Sequence, residues 1–247
     1  ELLEKELAKP GYRVSPIALG TTTDPYQPIE RRLQVTRSIL EVLWRHRHPC
    51  TIVTKGALIE RDLDLLAPMA KERLVSVMIS VTTLSAELKR IMEPRAAAPL
   101  ARLKTIEKLA AHGIPVGALI APVIPAINDH EIESLVAAVA AHGACTAGFV
   151  MLRLPHEVKA MFREWLETHF PLKAGHVLSL IRDMRGGREN DPRFGSRMRG
   201  EGEVAGLIGR RFQLAARRAG LANGRRTDLD LEAFRVPRPS TPQLALF

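Results

Sequence analysis

The chain of 247 residues is 46% hydrophobic and 26% charged, a composition that excludes intrinsic disorder and fits one large domain. No apolar run approaches the roughly 20 residues of a membrane span, and residues 1–9 lack the apolar core of a signal peptide. The two cysteines, Cys50 and Cys145, argue against a disulfide framework, so we expect a cytoplasmic protein with no membrane partner.

The balance of charge is strongly basic. The formal net charge is +9 and the isoelectric point is near 10.1, which favours polyanionic partners such as nucleic acid. A generally basic surface without such a partner would show the same composition, so charge alone leaves both interpretations open.

Short apolar runs alternate with amphipathic segments up to residue 152. The predicted order is strand 17–20, helix 29–45, strand 50–54, helix 63–70, strand 74–82, helix 101–112, strand 116–123, helix 131–141 and strand 147–152. This alternation predicts an α/β fold with a parallel sheet and right-handed crossovers.

The pattern changes after Leu154, where helices are predicted over 158–170, 175–184 and 204–219. The last two helices enclose a stretch that is rich in arginine. Its arginines are Arg182, Arg185, Arg188, Arg193, Arg197 and Arg199. We therefore divide the chain into a barrel-like part over 1–155, an arginine-rich helical extension over 156–222 and a flexible tail over 223–247.

Two histidines stand at similar positions near predicted helix ends. His112 and His142 each follow two alanines and precede a glycine. A glycine at this position supplies a left-handed cap, and a histidine suits the negative end of the helix dipole. We interpret both residues as capping residues, and we expect no metal site built from histidines.

Polar residues follow three of the predicted strands, at the edge where parallel α/β sheets bind their ligands. Thr22 and Asp24 follow the first strand, Lys55 follows the second, and Ser80 and Thr82 end the third. Each has an ordinary explanation: a helix cap for Asp24, a solvated lysine for Lys55, and β-propensity for the hydroxyls. Asp24 and Lys55 would also suit the acid–base pair of a metal-free enzyme.

Four further polar residues are candidates for the substrate side of such a site. Glu93 and Arg95 lie on either side of a proline, and their ordinary explanation is a local ion pair of little energetic value. Asn128 closes a stiff apolar segment and would otherwise cap the next helix. Arg153 ends the last predicted strand.

Several segments, in their order along the chain, resemble the radical-SAM proteins related to spore photoproduct lyase, a family often labelled DNA-repair-photolyase-like. They are Ala18-Leu19-Gly20, Asp24-Pro25-Tyr26-Gln27-Pro28, Val53-Thr54-Lys55, Ser80-Val81-Thr82-Thr83-Leu84, Met92-Glu93-Pro94-Arg95 and Ala121-Pro122-Val123-Ile124-Pro125. Residues 150–155 and 184–188 resemble a bacterial subgroup whose reaction is unassigned.

The resemblance implies a partial (β/α)6 barrel with S-adenosylmethionine and a [4Fe–4S] cluster as cofactors. In the family, a C-x3-C-x2-C loop holds the cluster, and S-adenosylmethionine is cleaved to a 5′-deoxyadenosyl radical that abstracts hydrogen from the substrate. Carried over by position, Thr22 and Asp24 would face the methionine amino group and Lys55 its carboxylate. The remaining cofactor contacts would be Ser80 and Thr82 at the ribose, and Pro122, Val123 and Ile124 at the adenine.

The sequence departs from the family in its cysteines. It contains no C-x3-C-x2-C triplet, and two separated cysteines cannot replace the clustered thiolates that the cluster needs. The first predicted strand matches the family's second, so we expect a truncated chain that lacks the first barrel strand and is inactive alone. For the intact protein the resemblance implies DNA repair or nucleic-acid modification. The alternative is a non-enzymatic nucleic-acid-binding or clamp-binding module on a degenerate barrel.

The last five residues resemble the pentapeptide that docks proteins onto the bacterial DNA sliding clamp. A short peptide with clustered apolar anchors can bind a preformed groove. The alternative is an apolar chain end that packs on its own barrel, since short motifs often match by chance. The anchors would be Gln243, Leu244, Leu246 and Phe247.

Overall fold

The fold is a single parallel sheet with helices against it. A computed structural model describes residues 1–223 and 228–237, and within them six strands pair in sequential order, from β1 at one edge to β6 at the other. All the neighbouring pairs are parallel. The strands are β1 Ile17–Leu19, β2 Cys50–Thr54, β3 Val75–Ser80, β4 Val116–Val123, β5 Thr146–Met151 and β6 Ala222–Asn223.

Helices follow the strands and form the crossovers that a parallel sheet requires. In the described residues they are α1 Leu2–Leu7, α2 Glu30–Leu33, α3 Val35–Arg45, α4 Leu63–Lys71, α5 Ala86–Met92, α6 Pro99–Ala111, α7 Ile132–Ala141, α8 Val158–His169, α9 Ala174–Asp183 and α10 Gly202–Arg218. Short 3-10 helices precede α4 and α7, over Ala57–Asp62 and Asp129–Glu131. None of these helices is both long and apolar enough to cross a bilayer.

The five strands predicted from the sequence are confirmed, each within two residues at either end. The helix predicted over 29–45 is divided into α2 and α3, because Gln34 adopts a left-handed conformation with φ of 50°. The prediction also missed α5 and β6. The α/β class and the helical C-terminal region are as expected.

The two faces of the sheet differ in burial. In β2, Cys50, Ile52 and Thr54 are buried, whereas Thr51 and Val53 are partly exposed. The same alternation recurs over most of β3. Successive side chains of a strand point to opposite faces, so one face forms the core beneath the helices and the other is left partly open.

Residues beyond α9 return to the sheet. Arg211 of α10 forms an ion pair with Glu133 of α7 at 2.7 Å, and the ring of Phe212 lies 4.8 Å from that of Phe149 in β5. Where the sequence predicted a flexible tail, residues 228–237 are held at the N-terminal edge of the sheet, and the Arg235 amide donates to the carbonyl of His46. The proposed clamp-binding residues 243–247 lie outside the described residues.

The two histidines near helix ends act as caps, as predicted. Nδ1 of His112 lies 2.8 Å from the Lys108 carbonyl, and Nδ1 of His142 lies 2.8 Å from the Ala138 carbonyl. The glycine after each has a positive φ, 70° after His112 and 92° after His142. Both imidazoles therefore bond to carbonyls in the last turn of their helices.

Candidate functional site

A cavity of about 410 Å³ opens at the C-terminal edge of the sheet. Its walls come from the ends of β1 to β5 and the loops that follow them. This is the edge at which parallel α/β proteins bind ligands, and the volume suits a small cofactor. Six predicted site residues line it: Thr22, Asp24, Lys55, Ser80, Pro122 and Arg153.

Asp24 joins the loop after β1 to the end of β2. Its Oδ1 accepts hydrogen bonds from the Tyr26 amide at 2.9 Å and the Thr54 hydroxyl at 2.6 Å, and its Oδ2 accepts one from the Lys55 amide at 2.8 Å. The carboxylate therefore bonds to a second strand, and the helix cap that its position suggested is not formed, because α2 begins only at Glu30. A carboxylate has about four acceptor positions, so it retains capacity for a ligand amino group.

A close approach of two strands shapes the wall beside this loop. Gly20 has φ of +94°, and a Cβ placed there would lie 2.0 Å from the carbonyl oxygen of Val53. Only glycine allows β1 to end this close to β2. The approach brings Thr22 and Asp24 next to Lys55.

Lys55 belongs to a chain of charges that spans the ends of β2 and β3. Its Nζ lies 2.8 Å from Oε1 of Glu93, and Oε2 of Glu93 lies 2.7 Å from Nη2 of Arg102. Burial raises the pKa of Glu93, but Lys55 and Arg102 outweigh it and hold that pKa below its ordinary value. Glu93 thus stays ionised and orients the ammonium group, while two Lys55 donors remain for a ligand. The alternative acid–base pair of Asp24 and Lys55 is not formed here. Asp24 bonds to the backbone amide of Lys55, and the ammonium group of Lys55 pairs with Glu93 instead.

Glu93 and Arg95 do not form the local ion pair that their spacing suggested. Glu93 turns inward to Lys55 and Arg102, whereas Arg95 is exposed to solvent. The buried Arg102 also donates to the Ser80 carbonyl at 3.0 Å. Arg102 was not predicted, because its partners lie on other elements and no local spacing marks them.

Asn128 is buried and bonded to the backbone around it. Its Oδ1 accepts from the Ile124 amide at 2.7 Å, and its Nδ2 donates to the carbonyls of Thr82 and Pro122. These bonds fix the segment after β4 against the end of β3. In this structure Asn128 therefore positions the loop, and a contact with substrate stays a prediction.

Three of the predicted cofactor contacts lie behind the cavity wall. Val123 and Ile124 are core residues, each 1% exposed, and the buried Thr82 hydroxyl donates to the Ala121 carbonyl. Pro122, preceded by a cis peptide bond, is the member of its segment that lines the cavity. The end of β4 is irregular: its register with β5 shifts between Ile120 and Val123, so the adjacent Ala121 and Pro122 both line the cavity while Val123 is in the core.

An arginine forms the wall at the end of β5, and a second arginine is buried beside it. Arg153 lines the cavity, and its Nε is buried without a hydrogen-bond partner among the described residues. Arg185 is buried and donates to the carbonyls of Leu152 and Ser196. Burial lowers the pKa of Arg185, and the carboxylate of Asp191 only partly opposes this. Arg153 therefore gives this wall a positive charge that would attract an anionic group.

The cysteines do not fit a cluster at this cavity. Cys50 opens β2 and Cys145 precedes β5, so both lie at the N-terminal edge of the sheet, opposite the cavity. Cys50 is fully buried, and burial raises the pKa of its thiol to about 12. Three clustered thiolates are needed for a [4Fe–4S] centre with one open iron, and the 247 residues do not supply them.

A parallel sheet of strand–helix units with a polar cavity at its C-terminal edge defines a ligand-binding α/β protein of the barrel class. The chain belongs to the Radical SAM superfamily, whose family model matches residues 2–139. Among its relatives is the uncharacterized protein Rv2578c of Mycobacterium tuberculosis, 36% identical over 183 residues, which are 73% of this chain and 54% of the relative. The uncharacterized protein MJ0683 of Methanocaldococcus jannaschii is 30% identical over 115 residues, 47% of this chain and 43% of the relative.

Solved structures support the fold. Spore photoproduct lyase complexed with dinucleoside spore photoproduct superimposes with a TM-score of 0.64 at 15% identity, covering 90% of this chain and 64% of that chain. A tyrosine-to-phenylalanine mutant of spore photoproduct lyase gives a TM-score of 0.63 at 16% identity with the same coverage. The partial radical-SAM barrel predicted from the sequence is thereby confirmed. The chain spans about half the length of the mycobacterial relatives and less than two thirds of the lyase.

Proposed function

We propose that the cavity at the C-terminal edge binds S-adenosylmethionine and that the intact protein uses it in radical chemistry on nucleic acid. The observation that carries the proposal is the convergence of Asp24, Lys55 and Ser80 on one cavity from three successive strands. Membership of the Radical SAM superfamily supports S-adenosylmethionine as the ligand.

The two ends of the cavity suit the two ends of this ligand. Asp24 would accept from the methionine amino group, and Lys55, held in place by Glu93, would donate to the carboxylate. Ser80 would meet the ribose and Pro122 the adenine ring. When bound, S-adenosylmethionine supplies a 5′-deoxyadenosyl group. No step through an iron–sulfur cluster is assigned to this chain, because its residues do not fit one.

The basic charge supports nucleic acid as the substrate. The chain carries a net charge of +9, and Arg153 lines the cavity. DNA repair and other nucleic-acid modification both fit these features. One of the similar lyase structures is a complex of that protein with a dinucleoside spore photoproduct, which is consistent with this class of substrate.

Isothermal titration of the full chain with S-adenosylmethionine tests the proposal. We expect Lys55→Ala to weaken binding about tenfold, since it removes one charge-assisted hydrogen bond. The matched control is Lys71→Ala, which removes an exposed lysine at the end of α4 and should leave the affinity unchanged. Thermal unfolding of both variants checks that the fold is retained.

Equal affinity of the Lys55→Ala variant and the unmodified chain would contradict the assignment of Lys55. A chain that binds an oligonucleotide but not S-adenosylmethionine would favour the second candidate, a non-enzymatic nucleic-acid-binding module. Docking to a sliding clamp through Gln243, Leu244, Leu246 and Phe247 stays a separate proposal, supported by the sequence motif alone.

A further inference from the structure

The segment between α9 and α10 carries an exposed aromatic ring among arginines. We name residues 185–199 the arginine loop. Phe194 is 91% exposed, and the guanidinium of Arg197 lies 4.7 Å from its ring centroid. The guanidinium lies over one face of the ring, and a large apolar side chain this exposed leaves its other face free.

The arginine loop is anchored beside the cavity. Arg185 donates from one guanidinium to the carbonyls of Leu152 and Ser196, so the end of β5 and the loop meet at this side chain. The Met151 amide donates to the carbonyl of Met198 at 2.9 Å, which continues the attachment. Met151 and Leu152 line the cavity, so the loop lies at its rim.

Apart from Arg185, which is buried and bonded to carbonyls, the arginines of this region fall into two groups. Arg182 pairs with Glu189, and Arg193 pairs with Asp191 and Glu201, so both charges are neutralised within the fold. The others have no carboxylate partner among the described residues: Arg188, Arg197 and Arg199. The loop thus presents free cations on both sides of the exposed ring in sequence.

We propose that the arginine loop binds an unpaired stretch of nucleic acid, with a base stacked on the free face of Phe194 and the backbone phosphates on Arg188, Arg197 and Arg199. Stacking on an aromatic side chain with cations along the backbone is how proteins bind single strands without reading their sequence. A duplex offers its phosphates but keeps its bases stacked, so the exposed ring favours an unpaired strand.

This inference rests on the proposed function, because it names the strand that would enter the cavity. Arg153 follows Leu152 and Arg197 follows Ser196, and both carbonyls accept from Arg185. The loop and the cavity wall are therefore contiguous.

Fluorescence anisotropy of the full chain with a labelled thymidine oligonucleotide of about 20 nucleotides tests the proposal. Phe194→Ala should weaken binding about tenfold, since one stacked base is lost, and Phe194→Tyr should stay within about twofold. The double variant Arg188→Ala/Arg197→Ala should weaken binding and reduce the slope of log affinity against log salt by about 1.4 between about 50 and 200 mM.

The matched control removes two exposed arginines elsewhere, Arg217→Ala/Arg218→Ala at the end of α10. It lowers the net charge equally and should change the affinity by less than about twofold. Equal losses for both pairs, or unchanged binding by Phe194→Ala, would overturn the proposal. So would displacement of the oligonucleotide by poly-glutamate at equal charge, since that would indicate a general polyanion surface.

Two separate readouts distinguish this inference from the proposed function. Oligonucleotide binding needs no S-adenosylmethionine, and titration with S-adenosylmethionine should give the same affinity for Phe194→Ala as for the unmodified chain. If the unmodified chain binds the oligonucleotide through Phe194 but does not bind S-adenosylmethionine, only the proposed function is rejected. If the chain binds S-adenosylmethionine but its binding of the oligonucleotide does not depend on Phe194, the arginine loop is rejected as the strand site.

Discussion

At the C-terminal edge of the sheet, charged and hydroxyl side chains surround an open cavity, whereas at the N-terminal edge comparable groups are sealed. At the N-terminal edge, the side chains of His48 and Cys50 are both 0% exposed. The Tyr12 hydroxyl bonds to Nε2 of His48 at 2.8 Å, and the ring of Phe234 packs on both. One edge keeps Lys55 and Arg153 reachable, and the other covers its polar groups with aromatic rings.

The contrast separates residues that serve a ligand from residues that serve the fold. In α/β barrels the C-terminal edge carries function and the N-terminal edge carries stability. The C-terminal edge also contains bracing groups, however, and these should affect both properties. Substitutions at each edge, with stability and ligand binding both measured, therefore test the division.

The largest expected effect comes from the buried charges that brace the Asp24 loop. Asp62 is fully buried and accepts from the Tyr26 hydroxyl and from Arg37 and Arg61. Asp62→Ala leaves the buried Tyr26 hydroxyl without its acceptor and removes one charge-assisted partner from Arg37 and from Arg61, which keep Asp64 and Glu30, so we expect a loss of about 3–4 kcal/mol in the free energy of unfolding. Because Tyr26 lies two residues from Asp24, binding of S-adenosylmethionine should weaken as well.

Asp64 provides the matched control for urea denaturation of this variant. It pairs with the same Arg37 at 2.6 Å, but its side chain is 58% exposed. Asp64→Ala should therefore cost about 0–1 kcal/mol, as exposed ion pairs do. If Asp62→Ala and Asp64→Ala lose similar free energies of unfolding, the burial of Asp62 is not what stabilises the Asp24 loop.

The next effect is expected at Gly20, where β1 approaches β2. Gly20→Ala places a Cβ against the Val53 carbonyl and a side chain at φ of +94°, so we expect a loss of about 2–3 kcal/mol and weaker S-adenosylmethionine binding. Gly113 has φ of +70° with nothing within 4 Å of its Cβ position. Gly113→Ala should therefore cost only about 1 kcal/mol and leave binding intact. Urea denaturation and titration with S-adenosylmethionine measure both variants. If Gly20→Ala and Gly113→Ala lose the same stability and the same affinity, the close approach at Gly20 is disproved.

The strands were predictable because their signal is local. Continuous apolar and β-branched runs mark β2 and β4, and both strands have the bounds that these runs predict. β6 has two residues, Ala222 and Asn223, and only its pairing with β5 defines it. The polar, proline-bearing composition from residue 224 onward predicts a flexible tail, and no local pattern predicts that within it Phe234 packs on Tyr12 and His48.

The site was predictable as far as chain order determines it. Asp24, Lys55 and Ser80 each follow or end a strand, and parallel strands bring such positions to one edge. Glu93 and Arg102 could not be paired with Lys55 in this way, because the three lie on separate elements that only the packed fold brings together. The arginines of the loop were visible in the sequence, but which of them are neutralised depends on how the loop folds, since it turns back to bring Glu201 to Arg193 and Glu189 to Arg182.

The smallest expected effect tests the sealed edge through pH. Burial lowers the pKa of His48, and its hydrogen bond to the Pro49 carbonyl only partly opposes this. The folded state therefore favours the neutral ring, whereas the unfolded chain takes up a proton near pH 6.5. The contribution of His48 to stability is complete above that pH and is lost progressively as the pH falls below it.

His48→Gln keeps a donor and an acceptor but has no charge to gain. Its unfolding midpoint, followed by circular dichroism from about pH 7.5 to about pH 5.5, should fall less steeply than that of the unmodified chain. Carboxylates such as Glu93 also lose stabilisation in acid, but their pKa values lie below this window, so the difference in slope reports His48. Binding of S-adenosylmethionine should not change, since the cavity lies at the opposite edge. A change in binding, or identical slopes, would mean that the two edges are not independent in the way their burial indicates.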